Sequence, residues 1–199
     1  MFCFVQYNNR VYFCGPHGSG KTTLIKLLAE NQYFSVRKKL PVSHSDYILE
    51  RELLRLLRYN AQRTQEDSFC AENPDKVLLC DRAFVDTDAY TQAFLNLGWI
   101  GKEEFDAFQK IKQALFPIEC LPERIVYFGV PLDNLIKNIK TRWLSRPKKW
   151  RENDFEYLEA VQQAYPKVLE SYGDKVLRVT ALDMAECLTK CSAWILSGC

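Results

Sequence analysis

The sequence predicts an α/β chain, a parallel sheet with helices on both faces, and three observations carry that expectation. Short apolar runs alternate with longer helical patterns, as they do when parallel strands are joined by crossover helices. The first apolar run leads into Gly15-Pro16-His17-Gly18-Ser19-Gly20-Lys21-Thr22, which satisfies G-x-x-x-x-G-K-[ST] between a strand and a helix. The 199 residues, 47% apolar and 13% aromatic, suffice for one domain with a full core, spanning 1-199, and leave no room for a second large one.

Taken in order, Val11 to Cys14 reads as a buried strand, and Thr23, Leu24, Ile25, Leu27 and Leu28 continue as a helix. Tyr33 to Arg37 is a second strand. Tyr47 to Gln65 carries Leu49, Leu53, Leu54, Leu56 and Leu57 at near-helical spacing. Val77 to Cys80 is a third strand, wholly apolar until Asp81 and Arg82 end it. Pro117 and Pro122 bracket a loop before a fourth strand, Arg124 to Phe128. Gly129 and Pro131 open a helix whose stripe, Leu132, Leu135, Ile136, Ile139 and Trp143, steps by three and four. An amphipathic helix with Phe155, Leu158, Val161 and Val168 follows, then a fifth strand, Val176 to Val179, and a last helix capped by Asp183.

The phosphate loop is the strongest chemical signal. Its glycines let the backbone curl around an anion, and the helix behind it points its N-terminus at that anion. A triphosphate is the expected guest, held by Gly15, Pro16, His17, Gly18, Ser19, Gly20, Lys21, Thr22 and Thr23. Lys21 would reach the β- and γ-phosphates, and the Thr22 hydroxyl would ligate Mg²⁺. The bland alternative is a glycine-rich turn with no ligand.

With 27 basic and 25 acidic residues the net charge is +2, which gives no reason to expect bulk binding to nucleic acid or membrane. No apolar stretch approaches the ~20 residues of a membrane span. Eight cysteines, Cys3, Cys14, Cys70, Cys80, Cys120, Cys187, Cys191 and Cys199, form no C-x-x-C pair and no metal-ligand ladder. Met1 to Tyr7 is apolar but short and lacks a basic start, so a reducing, cytoplasmic setting is expected.

Ligands of open parallel sheets bind beyond the carboxyl ends of the strands. Asp81, at the tip of the third strand, could hold Mg²⁺ with Thr22, and Arg82 could reach a phosphate; a surface ion pair or a helix cap is the plain alternative. On the following helix Asp86, Tyr90 and Ala93 share a face that could meet a base or sugar, although polar helix residues usually face water. The run Arg142-Trp143-Leu144-Ser145-Arg146-Pro147-Lys148-Lys149-Trp150-Arg151 reads as a basic flap, about 142-152, that closes over transferring phosphates. A solvated charge run or an RNA-binding patch would carry the same residues.

These three segments, in this order, resemble the thymidylate kinase and deoxynucleoside kinase group of P-loop kinases. Asp81-Arg82 followed by Ala89-Tyr90 and Gln92 is similar to the Asp-Arg-Tyr…Ala-Tyr-Gln pattern of thymidylate kinases, and Arg146…Arg151-Glu152…Phe155…Leu158…Tyr165 resembles their lid and the helix behind it. The resemblance covers nearly the whole chain. It implies a three-layer P-loop fold with a five-stranded parallel core, an arginine-bearing lid, ATP with Mg²⁺ as donor, a nucleoside or nucleotide as acceptor, and room for a homodimer through helices beside the site. Three departures stand out. Leu40-Pro41 occupies the place where deoxynucleoside kinases have a Glu-Pro whose carboxylate acts as base toward the sugar hydroxyl; His17 stands where thymidylate kinases often have an acid; Asp86 replaces the usual Ser.

An acceptor phosphate needs no base, so the missing carboxylate favours a nucleoside monophosphate, with a pyrimidine deoxynucleotide such as dTMP as the leading expectation. Asp46, Glu50 or Asp86 could replace the base if the acceptor were a nucleoside. In the leading reading Lys21, Asp81, Arg82, Arg142, Arg146 and Arg151 are catalytic; Arg82, Asp86 and Tyr90 bind the acceptor; Thr22 and Asp81 hold the metal. The alternatives are a deoxynucleoside or nicotinamide riboside-type kinase, an NTP-hydrolysing switch with a protein partner, and a nucleotide-binding protein with a disabled site.

Overall fold

The computed structural model describes residues 9–41, 45–117, 122, 124–148, 150–180 and 183–197. Five strands, β1 (Arg10–Cys14), β2 (Phe34–Val36), β3 (Val77–Asp81), β4 (Ile125–Phe128) and β5 (Val176–Val179), form one sheet in the order β2-β3-β1-β4-β5. Every pairing is parallel. All five fall where the sequence places them, each within a residue at either end. β3 is buried at all five positions because it lies inside the sheet with apolar layers on both faces, which is why its sequence does not alternate.

The helices are α1 (Lys21–Leu28), α2 (Ile48–Glu72), α3 (Phe84–Asn96), α4 (Lys102–Leu115), α5 (Leu132–Trp143), α6 (Phe155–Leu169) and α7 (Met184–Leu196). One core joins the sheet to α1 and α7 through Val11, Phe13, Leu24, Leu28, Cys191 and Ile195. A second lies beneath α2, α3, α4 and α6 and holds Leu56, Tyr90, Phe94, Phe108, Tyr157 and Tyr165. Helix α4 escaped the sequence reading, and α2 continues past the expected end at Gln65 to Glu72. Asp183 caps α7 as expected, its carboxylate accepting from the amides of Ala185 and Glu186 at 2.7 and 3.2 Å.

Pro147 lies beyond α5, which has ended at Trp143 with Leu144 as its cap before the proline is reached. The polar residues of α3 do not face water, since Asp86, Thr87, Asp88 and Thr91 are all buried. Helix α3 lies between the sheet, α2 and α6, so its hydroxyls turn back onto the backbone; Thr91 donates to the carbonyl of Thr87 at 2.8 Å. Cys14, Cys70, Cys80, Cys187 and Cys191 are buried free thiols, whereas Cys3, Cys120, Cys199, Lys149, the opening Met1 to Tyr7 and most of the loop between Pro117 and Pro122 lie outside the described residues.

Candidate active site

The loop between β1 and α1 turns on glycines that no other residue could replace cheaply. Gly18 has φ +77°, and a Cβ there would meet Ile139 Cγ1 at 2.8 Å and the Leu135 carbonyl at 2.9 Å. Helix α5 thus presses directly on the loop, and Asn138 adds a hydrogen bond to the Gly18 carbonyl at 2.9 Å. Lys21 is the first residue of α1, and its side chain runs back under the loop to donate to the carbonyls of Gly15 and Pro16 and to Ser19 Oγ at 2.8, 2.7 and 2.8 Å. Burial, reinforced by the nearby charge of Arg82, lowers the Lys21 ammonium to about 7 against the pull of Asp86 and Asp81.

Beyond the tip of β3 the chain makes a strained turn. Arg82 has φ +73°, a conformation that costs a non-glycine residue about 1 kcal/mol or more and persists only where its surroundings impose it. They do so on two sides. The Arg82 amide donates to the Phe13 carbonyl at 3.0 Å, and the Arg37 guanidinium from the end of β2 donates to the carbonyls of Asp81 and Arg82 at 3.0 and 2.6 Å. Arg37 is buried and is held in turn by Glu66 of α2. This support went unread in the sequence, where Arg37 is only the last residue of a short strand.

The turn aims two groups at the phosphate loop. The Thr22 hydroxyl donates to Asp81 Oδ2 at 3.2 Å, and the Lys39 ammonium pairs with the same oxygen. Burial pushes the Asp81 carboxyl upward, but Arg82, Lys39 and Lys21 outweigh it and hold the group below its ordinary value. An ionised carboxylate and a threonine hydroxyl in contact form an oxygen donor set that suits Mg²⁺, for which the Lys39 ammonium would have to leave Oδ2.

Asp86, expected to meet the acceptor, is spent on the protein instead. Its Oδ2 accepts from the Ala83 amide at 2.8 Å, and its Oδ1 from the Tyr165 hydroxyl at 2.6 Å and from Arg82 Nη1 at 2.9 Å. It therefore starts α3 and orients Arg82. Tyr90 lies one turn further on, with its ring 5.8 Å from that of His17 and the guanidinium carbons of Arg55 and Arg82 at 5.4 and 5.5 Å from its centroid. Arg55, on α2, is a second residue that the sequence reading passed over.

The three flap arginines do not converge. Arg142 pairs with Glu152, Arg146 is exposed, and Arg151 lies 4.4 Å from the Trp99 ring while pairing with Asp154 at 3.2 Å. The segment is nevertheless tied to the phosphate loop. Glu152, fully buried, also takes a 3.4 Å hydrogen bond from the Trp143 indole, and His17 Nδ1 lies 3.5 Å from its Oε1. Asp46 and Glu50, named as substitute bases, are both exposed.

A family model described as deoxynucleoside kinase matches residues 13–193. The chain belongs to the deoxynucleoside kinase family. It is therefore an enzyme that phosphorylates a nucleoside or nucleotide at the expense of a nucleotide co-substrate. Within this setting its curated relatives include the thymidylate kinases of Clostridium novyi, 27% identical over 84% of this chain and 87% of that protein, and of Pediococcus pentosaceus, 26% identical over 86% and 88%. Among solved structures, a deoxyadenosine kinase from M. mycoides with bound dCTP superposes with a TM-score of 0.73 at 16% identity, covering 94% of this chain and 99% of that one. That likeness shows the fold of this deoxynucleoside kinase family member, a P-loop kinase sheet with its flanking helices. No helix among the described residues is long and apolar enough to cross a membrane.

Proposed function

We propose that the chain transfers the γ-phosphate of ATP to a nucleoside monophosphate, with a pyrimidine deoxynucleotide such as dTMP as the acceptor. One observation carries this reading: the end of β2 brings Arg37 and Lys39, not a carboxylate, to the turn at Asp81 and Arg82. A hydroxyl acceptor would need a base there, whereas a phosphate is already a nucleophile and needs neighbouring cations. The likeness to thymidylate kinases supports the same choice.

The chain's own residues then do positioning and charge work. The loop from Gly15 to Thr23 and Lys21 hold the donor phosphates. Thr22 and Asp81 hold Mg²⁺, which when bound neutralises charge on the transferring group. Lys39 and Arg82 receive the acceptor phosphate, Arg82 being steadied by Asp86. Arg142, Arg146 and Arg151 belong to a segment, about 142–152, that closes as a lid and excludes water. The setting is cytoplasmic, and a homodimer through helices beside the site is compatible with it. ATP consumption measured against a panel of nucleosides and nucleotides tests the reading. Consumption with nucleoside monophosphates supports it, and slow hydrolysis that no small acceptor accelerates overturns it in favour of a switch protein.

A further inference from the structure

Three cations act on the Asp81 carboxylate, Arg82, Lys39 and Lys21, and one of them can leave. Lys21 lies buried beneath the phosphate loop on its three hydrogen bonds, and Arg82 is held by the strained turn and by Asp86. Lys39 differs from both. Its side chain is 54% exposed, and Asp81 Oδ2 is the one oxygen it bonds among the described residues. The main chain on either side of it is fixed: the Arg37 amide donates to the Leu79 carbonyl at 3.0 Å, and the buried Gln62 of α2 donates to the Lys38 carbonyl at 3.0 Å. Only the side chain is left to move, and a lysine carries its ammonium on a flexible stem. The place of that ammonium sets up a conflict. Asp81 Oδ2 also accepts from Thr22, in the oxygen pair that suits Mg²⁺, and an ammonium and a divalent cation on one carboxylate oxygen repel each other.

We propose that Lys39 is an exchangeable counter-ion, which neutralises Asp81 in the metal-free protein and turns to the acceptor phosphate when it yields that oxygen to Mg²⁺. The inference rests on the functional reading above, which needs the same ammonium beside Arg82 on the acceptor phosphate, and it adds an order to that reading. One lysine serves both places only by moving between them. Until the donor and its metal are seated, the pair with Asp81 withholds a cation from the acceptor. Metal and acceptor then bind with positive coupling, and the coupling is reciprocal: whatever factor the metal adds to acceptor affinity, the acceptor adds to metal affinity. Lys21 and Arg82 take no part in the exchange, because their own hydrogen bonds hold them in place.

Equilibrium binding tests this without turnover. Protein saturated with a non-hydrolysable ATP analogue is titrated with dTMP by calorimetry, once in Mg²⁺ and once in EDTA, for wild type and for Lys39→Met. The substitution changes an exposed side chain, so the variant folds. Wild type should bind dTMP about tenfold more tightly in Mg²⁺ than in EDTA. Lys39→Met should weaken dTMP about tenfold in Mg²⁺ but less than about twofold in EDTA, because only the released lysine reaches the acceptor. With no acceptor present, Mg²⁺ should bind the analogue complex of Lys39→Met about threefold or more tightly than that of wild type, since no ammonium has to be displaced. Equal loss of dTMP affinity in both conditions overturns the exchange and makes Lys39 a fixed acceptor contact. Unchanged dTMP affinity in both, with tighter Mg²⁺, also overturns it and leaves Lys39 a plain partner of Asp81. Binding of dTMP that ignores the metal in wild type overturns this inference alone, whereas dTMP that binds in neither condition overturns the nucleotide reading and this inference together.

Discussion

His17 Nδ1, inside the phosphate loop, lies 3.5 Å from the carboxylate of Glu152 at the far end of the basic segment. Glu152 also takes hydrogen bonds from Arg142 and Trp143 at the end of α5, so one buried carboxylate joins the loop, the helix that presses on it and the proposed lid. Glu152→Ala should therefore loosen all three. Leaving Arg142 without its partner is expected to cost about 1–3 kcal/mol, or a fall of roughly 2–10 °C in melting temperature for a chain of this size. Trypsin should cut between Arg142 and Arg151 faster in the variant. In wild type the same cuts should slow when ATP and acceptor analogues are added together. Cleavage that neither the substitution nor the ligands alter would reduce the segment to a solvated charge run.

Lys21→Ala should lower turnover about a hundredfold or more while the protein stays folded, because the ammonium meets charge on the transferred group. Circular dichroism confirms the fold and steady-state kinetics read the loss. Near-normal turnover would remove the lysine from the chemistry.

The depressed Lys21 gives a pH signature with a fixed sign. Its value falls to about 7 in the folded protein, below the ordinary 10.5, through burial first and Arg82 second. Above pH 7 the free protein holds the lysine neutral, and a bound triphosphate should restore its proton. Nucleotide binding should thus take up as much as one proton near pH 8.5 and weaken as pH rises, with little uptake near pH 6; titration calorimetry in two buffers of different ionisation enthalpy measures this. For stability the unfolded chain binds the extra proton between pH 7 and 10.5, so burial of the lysine costs most below pH 7 and the cost fades as pH rises. Lys21→Met should then raise the melting temperature more at pH 6 than at pH 9.5.

Arg37 holds the strained turn through the carbonyls of Asp81 and Arg82. Arg37→Met should cost about 3 kcal/mol or more, since it strips the buried Glu66 of a cation and two carbonyls of a donor. Denaturant unfolding gives the magnitude. At temperatures where the variant is folded, kcat should fall further than ATP affinity, because Asp81 and Arg82 lose their placement. A stable, fully active variant would show that the turn holds itself.

The strands and the phosphate loop were legible because their signals are local. β3 is five consecutive residues buried on both faces, and Gly18 and Lys21 sit at fixed offsets in one motif. What escaped depends on distant partners. Glu52 looks like any other charge on α2 until α3 and α6 bury it, and Arg37 gains meaning only from the two carbonyls of a neighbouring strand. Asp86 was read as a ligand-facing acid because its burial against Tyr165, seventy-nine residues away, leaves no trace in its own segment. Helix α4, by contrast, is legible locally, since Phe105, Phe108, Ile111 and Leu115 step by three and four along it, although Phe108 alone is fully buried.

The central claim is that the acceptor arrives already phosphorylated, and a direct comparison of dTMP with thymidine tests it. Purified protein is supplied with ATP, Mg²⁺ and one acceptor at a time, and the product is identified by mass. The account predicts conversion of dTMP to the diphosphate with kcat/KM at least about tenfold above that for thymidine, and a loss of that advantage in Lys39→Met. Phosphorylation of thymidine to the monophosphate, with dTMP left unchanged, would contradict it.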